Sequence, residues 1–226
     1  MLLLRVSQLK SSALPQKLAR TAAILTVGLA PLFIASPAFA HPSASHAIPT
    51  NPIEAFFSGI THPLTGFDHL AFVVALGLLA SLVNRRSAAI PAVFFLTVIA
   101  GASLHLIGTH LPALEVVISA SVLGLGLILA WQRQPNLALV VSCAAIFGLF
   151  HGYAYGEFVV GASAGLLVTY YIGLTLAQVA LGLLAYASGQ LLRDRSSEEA
   201  PYLSLRFAGF AICGIGMTLL SSFFSV

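Results

Sequence analysis

The residues with the clearest capacity for chemistry are imidazoles and carboxylates at the ends of apolar stretches. His62, Asp68 and His69 come together where one long apolar stretch begins, and His151 and Glu157 come where another ends. Imidazole and carboxylate together bind divalent first-row ions such as nickel, cobalt and zinc. Copper(I) prefers sulfur ligands, and magnesium prefers oxygen alone. The residue types therefore predict a metal site and leave the choice among nickel, cobalt and zinc open.

The composition places these residues in a membrane protein. The chain is 58% hydrophobic and 8% charged, whereas a soluble domain carries about 25% charged residues. A chain this apolar cannot cover itself with a polar surface, so we expect a lipid bilayer to surround it. Beyond residue 20, six basic residues face seven acidic ones, and no basic patch indicates a nucleic-acid partner. Cys143 and Cys213 lie in apolar stretches and do not indicate a disulfide framework.

The first 40 residues have the order of a secretory signal peptide. Residues 1–20 are basic, residues 21–33 are apolar, and residues 38–40 form a small-x-small cleavage site. We predict that residues 1–40 are removed, and a retained signal anchor is the alternative. In both cases the basic end stays in the cytoplasm and His41 emerges on the far side of the membrane.

The rest of the chain predicts an all-α fold, a polytopic transmembrane helical bundle with six spans after the cleavable signal peptide. A helix needs about 20 apolar residues to cross a bilayer core. Residues 41–61 are expected to be a periplasmic N-terminal segment, with residues 51–60 along the membrane interface. Residues 62–226 are expected to form the six-helix transmembrane domain. The predicted spans are residues 64–83, 88–108, 113–131, 137–155, 160–192 and 203–224.

Arginine positions orient this bundle. Positively charged residues collect in cytoplasmic loops, and the arginines of the bundle all fall in one alternate set of loops or at the adjoining helix ends. We therefore predict a multi-pass protein of the inner (plasma) membrane whose mature N-terminus is periplasmic. These arginines are Arg85, Arg86, Arg133, Arg193, Arg195 and Arg206.

The first ionisable cluster lies at the outer end of the first span in this orientation. His62 and His69 are two helical turns apart, but Pro63 is expected to break the helix between them. Asp68 and His69 are adjacent and point about 100° apart, so one can hold an ion while the other orients a ligand or faces a neighbouring helix. A carboxylate inside an apolar helix needs a partner, which favours a function for Asp68.

The remaining ionisable residues of the spans are also predicted to lie in the outer part of the bundle. Exposure to solvent is the expected state of Glu54, His110 and Glu115. For His105 taken alone, a hydrogen bond to a helix carbonyl is the favoured interpretation. The predicted metal ligands are His62, Asp68, His69, His105, His151 and Glu157.

The predicted mature N-terminus offers a second place for metal. If cleavage follows Ala40, the terminal amine and the imidazole of His41, with His46 nearby, could capture a metal ion. Pro42 lacks a backbone donor and disfavours square-planar binding through successive amides. Metal capture at His41 and His46 and an unstructured tail stand as equal alternatives.

Glycines at regular spacing predict close helix packing. Small residues every four positions let two helices approach each other closely. A hinge near the metal site is the alternative interpretation. The glycines in this pattern are Gly148, Gly152 and Gly156, and then Gly161 and Gly165.

Two segments resemble the HupE/UreJ family. Residues 62–70, HPLTGFDHL, are similar to the family signature HPxxGxDH, which an apolar helix follows, as it does here. Residues 147–157, FGLFHGYAYGE, are similar to the second family motif. The resemblance extends over residues 41–226. Many members have histidine where this chain has Tyr155, so the family pattern assigns no ligand there.

The resemblance implies a permease for nickel, or for cobalt in some members, that supplies hydrogenase, urease or cobalamin synthesis. It carries metal-site roles to residues at matching positions of the two motifs. Those residues are His62, Asp68, His69, His151 and Glu157.

Residues and resemblance together predict a secondary permease, not an enzyme, that moves a divalent ion from the periplasm to the cytoplasm. Nickel is the first choice and cobalt the second. No lysine follows Lys17, so the bundle has no Walker A motif, and the membrane potential can supply the drive. We expect no permanently bound cofactor; the ion bound or transported is Ni²⁺, or else Co²⁺ or Zn²⁺. The alternatives are a zinc-dependent intramembrane hydrolase and a metal-binding sensor or accessory subunit without flux.

Overall fold

The computed structural model describes residues 48–83, 88–131, 135–194 and 202–224, all within the unit Pro37–Val226. These ranges contain helices and no strand, which confirms the all-α class. The helices are α1 (Pro52–Thr65), α2 (Phe67–Leu82), α3 (Ala89–Leu106), α4 (Leu114–Trp131), α5 (Leu137–Glu157), α6 (Ala164–Asp194) and α7 (Leu203–Ser221).

Some sequence predictions fall outside the described residues. They concern the signal peptide of residues 1–40, the capture site at His41 and His46, and the loop arginines Arg85, Arg86, Arg133 and Arg195.

Five of the described helices, α3 to α7, are long and apolar enough to cross a membrane. A bent pair of α1 and α2, with an angle of 77° between them, makes a sixth span if the pair counts as one. The described helices therefore include five to six candidate membrane spans, as a multi-pass bundle requires. The predicted long fifth span is also confirmed, since α6 has 31 residues.

Helix α2 forms the centre of the bundle. Every residue from His69 to Leu82 except Val74 is buried, and α2 packs mainly against α6 and α4. A helix that is apolar all round is typical of a fully enclosed position. With 16 residues, α2 alone is shorter than the bilayer core requires. Its polar residues therefore lie within protein and not against lipid.

The break before α2 lies at Gly66, so the prediction of a break at Pro63 is wrong. Helix α1 continues through Pro63 to Thr65, and the Gly66 N–H still donates to the His62 carbonyl, 3.2 Å away. A Cβ at Gly66 would come within 3.0 Å of the Asp68 Oδ1. Because glycine lacks this atom, the chain can turn sharply and bring Asp68 and His69 under the end of α1.

Helix α1 packs against α6, and the position of residues 51–60 along the membrane interface stays a prediction. Gly59 fits against the Tyr170 and Leu174 backbone, and Gly173 fits against Phe56. The Asn51 side chain caps the helix by accepting from the Glu54 N–H at 2.9 Å. This packing holds the last turn of α1, which carries His62, over the start of α2.

Close packing through glycine joins α3 to α5. A Cβ at Gly152 would overlap the Val98 backbone, and one at Gly156 would come 2.9 Å from the His105 Cβ. The prediction for Gly148, Gly152 and Gly156 is therefore confirmed. The matching prediction for Gly161 and Gly165 is wrong. Gly161 lies in the turn before α6 with φ +85°, and Gly165 has open space where its Cβ would be.

Replacing Gly152 by Ala should force α3 and α5 apart. We expect overpacking to cost about 1–3 kcal/mol of stability and to lower the thermal unfolding midpoint in detergent or lipid. The matched control is Gly124→Ala, because a Cβ at Gly124 meets nothing within 4 Å. The control should be neutral or more stable by up to about 1 kcal/mol. Equal midpoints for both variants would contradict this packing.

Candidate metal centre

Two histidines from different helices meet in the core of the bundle. His69 lies in the first turn of α2 and His151 lies near the C-terminal end of α5, and their Nδ1 atoms are 2.9 Å apart. His69 is 6% exposed and His151 is 0% exposed. The Phe72 ring lies 4.1 Å from the His151 ring, centroid to centroid. The two imidazoles therefore form a buried pair in largely apolar surroundings.

A serine fixes which nitrogens of the pair carry protons. The Ser121 Oγ donates to the Ile118 carbonyl at 2.6 Å, so its proton is already used. The Ser121 Oγ must therefore accept from the His151 Nε2, 3.1 Å away. The His151 Nδ1 is then unprotonated and accepts a hydrogen bond from the Nδ1–H of His69. Two neutral imidazoles share one hydrogen bond, which suits their burial.

His62 adds a third imidazole beside this pair. Its ring centroid lies 5.5 Å from that of His69, and its Nδ1 lies 2.8 Å from the Tyr170 hydroxyl. The Tyr155 ring packs 5.2 Å from the His62 ring and 4.5 Å from the His69 ring. The His62, His69 and His151 rings are thus successive neighbours inside the bundle, with Tyr155 against the first two.

Asp68 lies beside His69. Its Oδ1 accepts from the His69 backbone N–H at 2.8 Å and lies 4.0 Å from the His69 Nδ1. The Asp68 side chain is 22% exposed, while that of His69 is 8% exposed. The carboxylate therefore places negative charge next to the histidine pair while remaining accessible from outside the core.

The other predicted ligands lie elsewhere. His105 packs against Tyr153, with 4.4 Å between ring centroids, and Tyr153 points about 200° around α5 from His151. The His105 Nδ1 is buried without a hydrogen-bond partner. Glu157, at the end of α5, is exposed. His110 and Glu115 are exposed, as predicted.

Across the described ranges, His, Cys, Asp and Glu side chains do not gather in groups of three with the geometry of a metal site. The best pair of candidate ligands is His69 and His151. Any further ligands of an ion between them must come from water or from polar residues of other types.

Sequence reasoning missed Ser121, Tyr170 and Gln178. All three are buried, and two of them hold histidines in place. The available signal was a polar side chain in the middle of an apolar span, which often bonds another helix. Serine and tyrosine are too common in such helices for this signal to single them out.

Comparisons with known proteins agree with the two sequence motifs. The family model described as HupE / UreJ protein matches residues 29–219. Protein HupE of Rhizobium leguminosarum bv. viciae is 28% identical over 156 residues, which cover 64% of this chain and 82% of that protein. No solved structure matches the chain.

Without the Ser121 hydroxyl, the histidine pair should no longer be held in one pair of tautomers. In wild type without metal, we expect His151 protonated on Nε2 and His69 on Nδ1. The Ser121→Ala variant should show a mixture of tautomers, because the acceptor for the His151 Nε2–H is gone. Nitrogen chemical shifts of isotope-labelled histidine in lipid report this directly.

The control for that measurement is Ser103→Ala, whose hydroxyl donates to its own helix at Ile99. A Ser121→Ala spectrum identical to those of wild type and control would contradict the assigned tautomers.

Proposed function

This chain belongs to the HupE/UreJ family, a family of membrane transporters and accessory proteins that is associated with nickel and cobalt uptake. On that premise, we propose that it is a secondary permease for a divalent transition-metal ion, most favourably nickel and then cobalt. The ion moves from the periplasm to the cytoplasm. The observation that carries the proposal is the buried His69–His151 pair beside the accessible carboxylate of Asp68.

The hydrogen bond between the two Nδ1 atoms sets their 2.9 Å distance in the metal-free pair. Two nitrogens about 2.1 Å from one ion lie about 3.0 Å apart at a 90° angle and about 3.4 Å apart at a tetrahedral angle. The two imidazoles therefore need to separate by only a few tenths of an ångström to hold one ion together. The order of preference, nickel and then cobalt, rests on the association of the family with these two ions.

Binding at both Nδ1 atoms requires a proton to move within His69. In the metal-free pair, His69 carries its proton on Nδ1, the atom that faces His151. An ion that takes both Nδ1 lone pairs therefore needs His69 to carry this proton on Nε2 instead. The pair supplies two protein ligands and leaves the other positions of the ion to exchangeable groups. A site with few protein ligands suits release of the ion as well as binding.

Asp68 provides the charge at the start of the route. A hydrated cation meets its carboxylate first, because Asp68 is more exposed than the His69 ring. There the ion exchanges some of its water for protein ligands before it reaches the pair. The membrane potential then favours inward movement, since two charges crossing ~100 mV gain about 4.6 kcal/mol.

The two alternative functions gain no specific support. A hydrolytic zinc site uses three protein ligands and an open position for water. The His, Cys, Asp and Glu side chains of the described ranges do not form such a set of three. A sensor or accessory subunit would bind the ion without flux, and transport measurements separate it from a permease.

Uptake of radioactive nickel by cells that express the protein tests the proposal. We expect His69→Gln and His151→Gln each to lower initial uptake at least about tenfold, because each removes one of two metal-binding nitrogens. Cobalt should compete with nickel more strongly than zinc does.

The matched control is His110→Gln, which changes an exposed histidine outside the pair. It should transport like wild type at equal membrane abundance. Binding of nickel without uptake by wild type would replace the permease with the sensor or accessory subunit.

Sidedness follows from the arginine pattern and sets the direction of transport. Without its native cysteines, a Thr109→Cys variant should react with a membrane-impermeant thiol reagent in intact cells. An Asn136→Cys variant should react after the membrane is permeabilised, since residue 136 precedes α5 at the opposite end. Both residues are exposed. The reverse pattern of labelling would contradict inward transport from the predicted side.

A further inference from the structure

Helix α6 carries a buried glutamine whose polar atoms are poorly satisfied. Gln178 is 2% exposed, and neither its Oε1 nor its Nε2 makes a hydrogen bond of good geometry. Buried polar groups are nearly always satisfied, because losing water without gaining a partner is costly. A side chain with both polar atoms in this state indicates a place where something else binds.

A second unsatisfied group lies next to it. The Tyr155 hydroxyl is fully buried and also lacks a hydrogen bond of proper geometry. The Gln178 amide lies against the Tyr155 hydroxyl within reach of a weak hydrogen bond, and the carboxylate of Asp68 acts on that hydroxyl electrostatically. The Tyr155 ring contacts His69. The unsatisfied oxygens of Gln178 and Tyr155 therefore belong to the surroundings of the histidine pair.

Another glutamine on the same helix shows that α6 can satisfy this side chain. The Gln190 Nε2 donates to the Tyr186 hydroxyl at 3.0 Å and to the Ser81 carbonyl at 3.4 Å. Gln190 is half-buried and joins α6 to α2. Gln178 has the Tyr155 hydroxyl beside it but makes no bond of good geometry with it, although Gln178 is more deeply buried. A structural bond of the Gln190 kind therefore satisfies Gln178 poorly.

We propose that the Gln178 side-chain oxygen, with the Tyr155 hydroxyl, forms an oxygen-donor binding position for the divalent ion beside the His69–His151 pair. This inference rests on the proposed function and extends the binding site to α6. The pair supplies two nitrogens and leaves the other positions of the ion open. Amide and hydroxyl oxygens are suitable ligands for such positions. Because both are neutral, they replace lost water without trapping the ion.

Two substitutions at residue 178 should change nickel affinity in opposite directions. Gln178→Leu removes the ligand and should weaken nickel binding to purified protein in lipid nanodiscs about tenfold. Gln178→Glu supplies a negative oxygen and should tighten binding several-fold while lowering the maximal rate of nickel uptake, because release slows. A residue that merely packs would not produce tighter binding with slower transport.

Thermal stability separates a ligand from a structural group. Leucine removes two unsatisfied polar atoms from the core, so Gln178→Leu should unfold at the wild-type temperature or above it. Gln178→Met is the second apolar variant, with nearly the length of glutamine, and should behave alike. The matched control is Gln190→Leu, which loses two observed hydrogen bonds. It should be less stable and should bind nickel like wild type.

The outcomes distinguish this inference from the permease itself. If wild type takes up nickel but Gln178→Leu and Gln178→Met bind and transport it unchanged, Gln178 is no ligand and the inference is overturned. Lower stability of Gln178→Leu with unchanged nickel binding would overturn it too, because Gln178 would then be bonded through buried water. Absence of nickel and cobalt uptake by wild type would instead refute the proposed function.

Discussion

One hydrogen bond inside an apolar bundle sets the conditions for the rest of this structure. The His69–His151 contact joins α2 to α5, where water is excluded. Buried imidazoles must stay neutral or find a partner. The pair satisfies itself by sharing a proton, and Ser121 fixes which nitrogen donates. The metal-free pair is therefore satisfied, and its two nitrogens lie close enough for one ion to bind both after a small shift.

The surrounding helices serve this contact by close approach. Gly66 lets the chain turn between α1 and α2, so that His69 starts a buried helix below His62. Gly59 and Gly173 bring α1 onto α6, and Tyr170 of α6 then meets His62 at 2.8 Å. Glycines thus let the helix backbones come close together, and this close packing positions the imidazoles. The polar residues could not meet if these helices were separated by larger side chains.

The sequence predicted the helices and the ionisable residues of the site better than the helix break at Gly66 and the uncharged residue Gln178. Apolar stretches and four-residue glycine spacing predict membrane helices directly, and a carboxylate or imidazole inside them stands out because its burial is costly. Proline usually breaks a helix, which favoured Pro63 as the site of the break. Pro63 instead fits within the last turns of α1, and the helix ends before Gly66. Gln178 was missed because an uncharged side chain gives a weak signal. Its significance depends on the absence of a partner, which spacing along the chain does not reveal.

X-ray absorption at the nickel edge, on purified protein in lipid loaded with one equivalent of nickel, tests the central claim most directly. If His69 and His151 hold the ion together, wild type should show two imidazole nitrogens at about 2.1 Å, with oxygen in the remaining positions. The His151→Gln variant should then show one imidazole. Identical imidazole scattering from wild type and variant would mean that the ion binds elsewhere, and the account of a buried histidine pair as the metal centre would be wrong.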